Sequence, residues 1–313
     1  MLNLAELCGM RPDVAAVPCK VLYVHENQLA YPVQAASAKG ERDHVFGHAL
    51  IASCVAADRV VWNSRFNLDS FVNALPRFCK DIPLESAGRP KPQALAETIR
   101  AKSAVLYPPL PPPLPRRSSA RDGDSARERP LRIAFPHRWE HDKDPDAFVR
   151  VLSALAARGL DFTVLVFGGE DFQGTSTRSV LEAAVGFNRV AHVGRVASRD
   201  MYLALLAGCD VCVSTALHDF FGIAMVEAAL MGVAVLAPNR LAYPELFSAH
   251  CLYTDEADLV ARLDFMATHG APGGECLNAN VARQVNGEDP AVRARVLDVL
   301  GLAPPQPPQP HCA

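Results

Sequence analysis

Two acids stand eight positions apart in the run His218-Asp219-Phe220-Phe221-Gly222-Ile223-Ala224-Met225-Val226-Glu227. An ionised carboxylate only accepts hydrogen bonds, so Asp219 and Glu227 suit hydroxyl groups such as those of a sugar or a ribose. Between them, Gly222 opens an apolar helix expected to end near Met231-Gly232. A glycine there lets backbone approach a ligand closely. The free N–H groups and positive dipole end of such a helix suit a phosphate, to be met by the backbone of Phe221, Gly222, Ile223 and Ala224. Hydroxyls plus phosphate point to a nucleotide-sugar. The plainer alternative is an amphipathic helix on which Glu227 is simply capped or paired.

Three further constellations follow predicted strands. His137-Arg138-Trp139-Glu140-His141-Asp142-Lys143 offers Arg138 as a planar fork and Lys143 as a point charge for a diphosphate. The alternative is a solvated loop with surface ion pairs, with Trp139 there for packing. His25-Glu26-Asn27-Gln28 sits at a strand's carboxyl end, where open α/β sheets bind ligands. The alternative there is a polar turn in which Asn27 and Glu26 cap a helix. Gly168-Gly169-Glu170 permits close backbone approach, with Glu170 lining a base pocket, although a Gly-Gly turn alone is a weak signal. Gly194-Arg195 is equally weak, and Asn63-Ser64 is a lesser candidate for reaching an acceptor. The histidines at 137 and 141 fall in a loop flanked by prolines, and the cysteines show no repeated metal spacing, so no metal site is expected. There is no G-x-S-x-G of a serine hydrolase and no phosphate-binding P-loop pattern.

The elements that must position these residues alternate between strand-like and helix-like runs, which argues α/β with a parallel sheet. The chain has 313 residues, half of them apolar and 21% charged, enough for two domains with ordinary cores. A net charge of −3 gives no global basic footprint, so nucleic-acid contact would have to be local. The nine cysteines read as reduced packing residues, and no apolar run reaches the length of a membrane span. No signal peptide is evident at the start, and the expected location is cytoplasmic, with the nucleus as a second compartment.

Strands are predicted at Lys20–Val24, Arg59–Trp62 and Ala104–Tyr107, with helices over Asn3–Met10, Glu41–Ala57, Asn67–Cys79 and Gln93–Lys102. The run from Pro108 to Pro130 lacks apolar periodicity and reads as a linker, stiff where proline-rich and mobile beyond. Six strands follow, at Leu131–Pro136, Phe162–Phe167, Val190–Val193, Val211–Thr215, Ala234–Ala237 and near Leu252. They make a complete doubly wound domain, with Asp144, Pro145 and Gly159 as start and stop signals of its first helix. The expected division is residues 1–107, a linker 108–130, a second domain 131–303 and a disordered proline-rich tail 304–313. Three parallel strands leave an edge and bury little, so a strand-and-helix portion is expected to precede Met1.

Asp219 to Glu227 carries the spacing of the E-x7-E motif, with Asp in first place, and the second half resembles retaining glycosyltransferases of GT-B type. With His25-Glu26-Asn27-Gln28, Tyr31-Pro32-Val33 and His137 to Pro145, the chain from about Leu2 to Tyr253 is similar to the tRNA-queuosine mannosyltransferase family. That resemblance implies two Rossmann-like domains facing a cleft, the first incomplete here because the family's Gly-Gly-Ser-His loop is not found. It implies GDP-mannose as donor, no metal, and tRNA as acceptor. His25 would then face the donor sugar, Arg138 and Lys143 the diphosphate, and Glu227 the ribose. The basic residues Arg116, Arg117, Arg121, Arg127 and Arg129 are candidates for RNA contact, diluted by Asp122, Asp124 and Glu128. A different sugar-nucleotide enzyme on the same fold, and a chain that only binds nucleotide, are the alternatives.

Overall fold

A computed structural model describes residues 3–30, 44–80, 91–111, 129–169, 171–172, 175–271 and 275–302. The expectations placed on Tyr31-Pro32-Val33, on Glu170, on Arg116, Arg117, Arg121 and Arg127, on linker residues 112–128 and on the 304–313 tail lie outside those residues. The chain divides into two units.

The first unit is built on a three-stranded parallel sheet in the order β1-β2-β3, with β1 at Val21–Val24, β2 at Arg59–Trp62 and β3 at Ser103–Val105. Helices Leu4–Met10, His44–Ala56, Arg65–Lys80 and Pro92–Ala101 supply its cover. Trp62, Phe71, Leu75 and Ile99 are fully buried at its centre. Where the residues at both ends of an element are described, these bounds lie within two residues of those read from apolar periodicity.

The last helix departs from the expected division. Pro290–Val299 belongs with the first unit although it follows the second in the chain. Arg59 Nη1 donates to the carbonyls of Asp298 at 2.8 Å and Val299 at 3.3 Å, and Arg295 Nη2 donates to the Val105 carbonyl at 3.0 Å. A cation at a helix C-terminus meets the negative end of its dipole, which explains the first contact. Leu110, assigned from sequence to the linker, is buried and exchanges backbone hydrogen bonds with Val285 at 2.8 Å and Gly287 at 3.0 Å. The linker therefore begins after this bridge.

In the second unit, β4 (Leu131–Phe135), β5 (Phe162–Val166), β8 (Val190–Val193), β9 (Val211–Val213), β10 (Ala234–Pro238) and β11 (Leu252–Tyr253) form one parallel sheet. A small antiparallel pair, β6 (Asp171–Phe172) and β7 (Thr175–Ser176), stands apart from it and was not anticipated. The order β11-β10-β9-β4-β5-β8, counted from β4, is the 3-2-1-4-5-6 arrangement of a doubly wound fold. Every residue of β9 and β10 is buried, as expected for strands covered on both faces. The sheet order reverses between β4 and β9, and in such folds ligands bind outside the carboxyl ends of those two strands.

The helix after β4, Pro145–Ala157, starts as its sequence signals suggest. Asp144 takes a left-handed conformation at φ 47°, and its carboxylate accepts from the Ala147 amide at 3.1 Å. Such a cap contributes about 1 kcal/mol. Phe148 then stacks on Phe135 with ring centroids 4.4 Å apart, and Trp139 meets the same ring edge-on at 5.8 Å. Trp139 is 7% exposed, so the packing role holds for it.

Candidate functional site

The loops after β4 and β9 are tied together at the switch point. Lys143 ends a 3-10 turn, His141–Lys143, and its Nζ donates to the His218 carbonyl at 2.8 Å. The same ammonium stands 3.2 Å from Asp142 Oδ2 and 3.5 Å from Asp219 Oδ2. The backbone repeats the connection, because the amides of Leu217 and His218 donate to the Asp142 carbonyl at 2.9 and 3.1 Å. Thr215 Oγ1 donates to the carbonyls of Lys143 and Asp144 at 2.8 and 2.9 Å.

Asp219 is the centre of this arrangement. Its Oδ1 accepts from the amides of Phe221 at 3.2 Å and Gly222 at 2.7 Å, and its Oδ2 accepts from Tyr243 Oη at 3.1 Å. An aspartate is short enough to fold back onto its own loop in this way. Burial raises its pKa, but Lys143, His137, the Phe221 amide and the Tyr243 hydroxyl outweigh that and hold it below the ordinary carboxylate range. Tyr243 also meets Ser214 Oγ at 2.8 Å, and burial beside Asp219 pushes its phenol well up. Gly222 precedes the Ile223–Leu230 helix at φ 74°, a conformation that disfavours any side chain, and a Cβ there would stand 2.8 Å from the Tyr243 ring. With the Phe221 and Gly222 amides capped by Asp219, Ile223 and Ala224 carry the next two N–H groups of the helix N-terminus. Ile223 is 44% exposed.

Two histidines flank this cation. His137 and His218 are 6% and 5% exposed, and His137 Nε2 has no hydrogen-bond partner among the described residues. Burial lowers both pKa values from 6.5 to about 4; Lys143 adds to the lowering, while Asp219 and Asp142 oppose it. Both rings are thus neutral at pH 7. Gly168 closes the far side of the β4 loop, where a Cβ would lie 2.1 Å from the His137 carbonyl oxygen and 2.5 Å from Arg138 Cα. Only glycine fits there, which explains the residue type without invoking a ligand.

Arg138 reaches outward, with 65% of its side chain exposed, and pairs with Glu140 at 3.1 Å. Such a surface pair is weak and is readily exchanged for an incoming anion. Glu227 is 8% exposed and pairs with Arg199 Nη2 at 2.7 Å. Arg199 lies 28 positions away in sequence and was not anticipated, nor were Tyr243, Ser214 and Arg240. Arg240 Nη2 holds the Ala216 carbonyl at 3.1 Å. Arg129, offered as an RNA contact, donates to Asp210 Oδ1 at 2.8 Å.

In the first unit His25 and Glu26 are exposed after β1, and Gln28 is half-buried. Asn27 is turned inward and wholly buried. Its Nδ2 donates to Ser70 Oγ at 3.1 Å, and its Oδ1 accepts from the amides of Leu29 at 2.9 Å and Ala30 at 3.3 Å. Asn63 Nδ2 donates to the His25 carbonyl at 2.9 Å, and Asn67 Nδ2 donates to Asn63 Oδ1 at 2.8 Å. Asn63 and Ser64 are buried, so they support the loop bearing His25 instead of facing out. His25, Glu26 and Gln28 line a hollow of about 590 Å³ together with Tyr23, Phe46 and Ser53.

The fold is that of glycosyltransferases of GT-B type, shared with solved structures and with a glycosyltransferase family. Sucrose-phosphate synthase from Thermosynechococcus elongatus shares it at TM-score 0.57 and 16% identity, over 85% of this chain and 62% of that one. A UDP-forming trehalose-phosphate synthase from Burkholderia xenovorans shares it at TM-score 0.60 and 15% identity, over 95% of this chain and 71% of that one. Residues 1–110 match the family described as tRNA-queuosine alpha-mannosyltransferase N-terminal, and residues 130–268 match glycosyl transferases group 1. The tRNA-queuosine alpha-mannosyltransferase of Drosophila melanogaster is 38% identical over 267 residues, 84% of this chain and 68% of that protein. The chain belongs to the tRNA-queuosine alpha-mannosyltransferase family. It spans about two thirds of the length of that relative and 62% of the synthase. No helix among the described residues is long and apolar enough to cross a membrane.

Proposed function

We propose that the chain transfers mannose from GDP-mannose to the queuosine of tRNA(Asp) with retention at the sugar carbon, in the cytoplasm or the nucleus. The observation that carries this reading is the meeting of the β4 and β9 loops around Lys143, at the switch point of a sheet in a chain of this family. In this proposal the leaving diphosphate is met by Arg138 and by the Ile223 and Ala224 amides. Negative charge builds on it as the bond to the sugar breaks, and fixed donors stabilise that charge without reorganising. Lys143 sets a positive potential behind them, and Asp219 holds the ammonium and the helix start in place. Glu227 accepts from the ribose hydroxyls while Arg199 fixes its carboxylate. The acceptor hydroxyl attacks on the face the phosphate leaves, and the departing phosphate takes its proton. The proposed chemistry assigns no step to a metal.

The test is to incubate the full chain with GDP-mannose and queuosine-containing tRNA, then digest the tRNA and weigh its nucleosides. A hexose added to queuosine is the expected product. A chain that only binds the nucleotide is the second reading. Saturating GDP, read together with the product assay, separates the two. At 100 times Kd a ligand specific for the folded state stabilises it by about 3 kcal/mol. A thermal shift without product supports the binding-only chain, and no shift with GDP or UDP contradicts both readings.

Glu227→Gln supplies a finer test. Losing a charged acceptor for ribose is expected to raise KM for the donor about 10-fold with kcat nearly unchanged, since a hydrogen bond to a charged group contributes roughly 1.5–3 kcal/mol. An unchanged KM would remove Glu227 from the donor site.

A further inference from the structure

Outside the Lys143–Asp219 network, His250, Cys251 and Cys276 bring one imidazole nitrogen and two sulfurs to within 4.8 Å of one another, the one such group among the described residues. Spacing in the sequence hides it, because Cys276 comes 25 residues after Cys251. Backbone pairing makes it. The Ser248 amide donates to the Cys276 carbonyl at 2.9 Å, Phe247 and Leu277 form an antiparallel bridge, and the Asn278 amide donates to Leu246 at 2.9 Å.

Cys251 and Cys276 are 1% and 7% exposed, while His250 faces solvent. The hydrogen bonds of the sulfurs are long, 3.9 Å from Cys251 Sγ to the Cys276 carbonyl and 4.0 Å from Cys276 Sγ to the Val233 carbonyl. Two thiolates and a neutral imidazole are a borderline-soft donor set that suits zinc among divalent cations. Zinc–sulfur bonds near 2.3 Å put tetrahedral ligands about 3.8 Å apart, so side-chain rotations of about an ångström close the site.

We propose that His250, Cys251 and Cys276 bind one zinc-class divalent cation, with water as the fourth ligand on the exposed side. The two thiols lose their protons to solvent on binding, and the cation forms two sulfur bonds and one nitrogen bond with no change of oxidation state. The bound cation fastens residues 247–251 to 275–278. The first of these segments directly follows the Tyr243–Leu246 turn, whose tyrosine donates to Asp219. The site therefore braces an element of the switch-point network from outside it.

Cobalt(II) titration of the reduced, metal-free full chain tests this. The expected result is one equivalent bound, with thiolate-to-cobalt charge-transfer absorption and the intense visible bands of a four-coordinate ion, displaced by zinc. Cys276→Ser and His250→Ala should weaken binding more than about 100-fold, a larger effect than losing an outer-shell partner. Cys19→Ser, at an exposed thiol, should bind as the unaltered chain does. Should a ligand variant misfold, hydrogen exchange on the unaltered chain serves instead, and zinc should slow it at 247–251 and 275–278. Binding without thiolate absorption, an unchanged spectrum in Cys251→Ser, or no protection of those segments by zinc would overturn the proposal.

Discussion

Lys143→Met is expected to lower the rate of sugar transfer by about 100-fold or more, the usual effect of removing one preorganised charge from a site where negative charge develops. The ammonium stands between Asp142 and Asp219, and its side chain is only 14% exposed. Without it two enclosed carboxylates face each other, which costs about 3 kcal/mol of stability. The stability loss and the catalytic loss can be separated. Lys143→Met combined with Asp219→Asn removes one cation and one anion, so it should restore much of the melting temperature and none of the rate. If the double variant recovers both, Lys143 acts only by holding the loops together. Lys143→Arg should also fail, because a guanidinium fork cannot occupy a niche shaped for a compact ammonium.

The second expectation concerns acid. His137 and His218 are neutral in the folded chain with pKa values of about 4, against 6.5 when unfolded. Below pH 6.5 the unfolded chain therefore binds protons that the folded chain refuses, and stability falls as pH falls. It is fully present above pH 6.5 and declines until about pH 4. For each ring the drop between pH 7 and pH 5 is about 2 kcal/mol, rising to about 3 kcal/mol at the acid limit. The lowered pKa of Asp219 acts in the same direction at still lower pH. Urea midpoints measured from pH 7 to pH 5 should fall steeply in the unaltered chain, and His137→Gln should remove about half the slope. Carbon-13 labelling of the histidine rings reads the values directly. A ring at position 137 or 218 titrating near 6.5 in the folded protein would contradict this account.

Much of the frame behind these effects was legible in the sequence. Buried parallel strands are short apolar runs, and Val211–Val213 and Ala234–Pro238 could be read with little error because both of their faces are covered. Asp144 could be read as a cap because a cap is a local device. Partners distant in sequence were not legible. Nothing in the run from Asp219 to Glu227 says that Arg199 will meet Glu227 or that Tyr243 will meet Asp219. Asn27 marks a different limit. The same amide can line a wall or tie a turn, and only its burial beside Ser70 shows that it ties the turn. Gly168 reads as a ligand approach in the sequence and as a close backbone crossing in the structure.

The return of Pro290–Val299 to the sheet of the first unit has a consequence for the covalent order of the molecule. The chain leaves the first unit after Pro111 and returns to it near residue 282. A single cut in the earlier crossing would leave two pieces, the second still carrying the helix whose Arg295 and terminal carbonyls grip Val105 and Arg59 of the first. The severed halves would then reassociate from separate polypeptides, and removing the final helix would abolish that complementation.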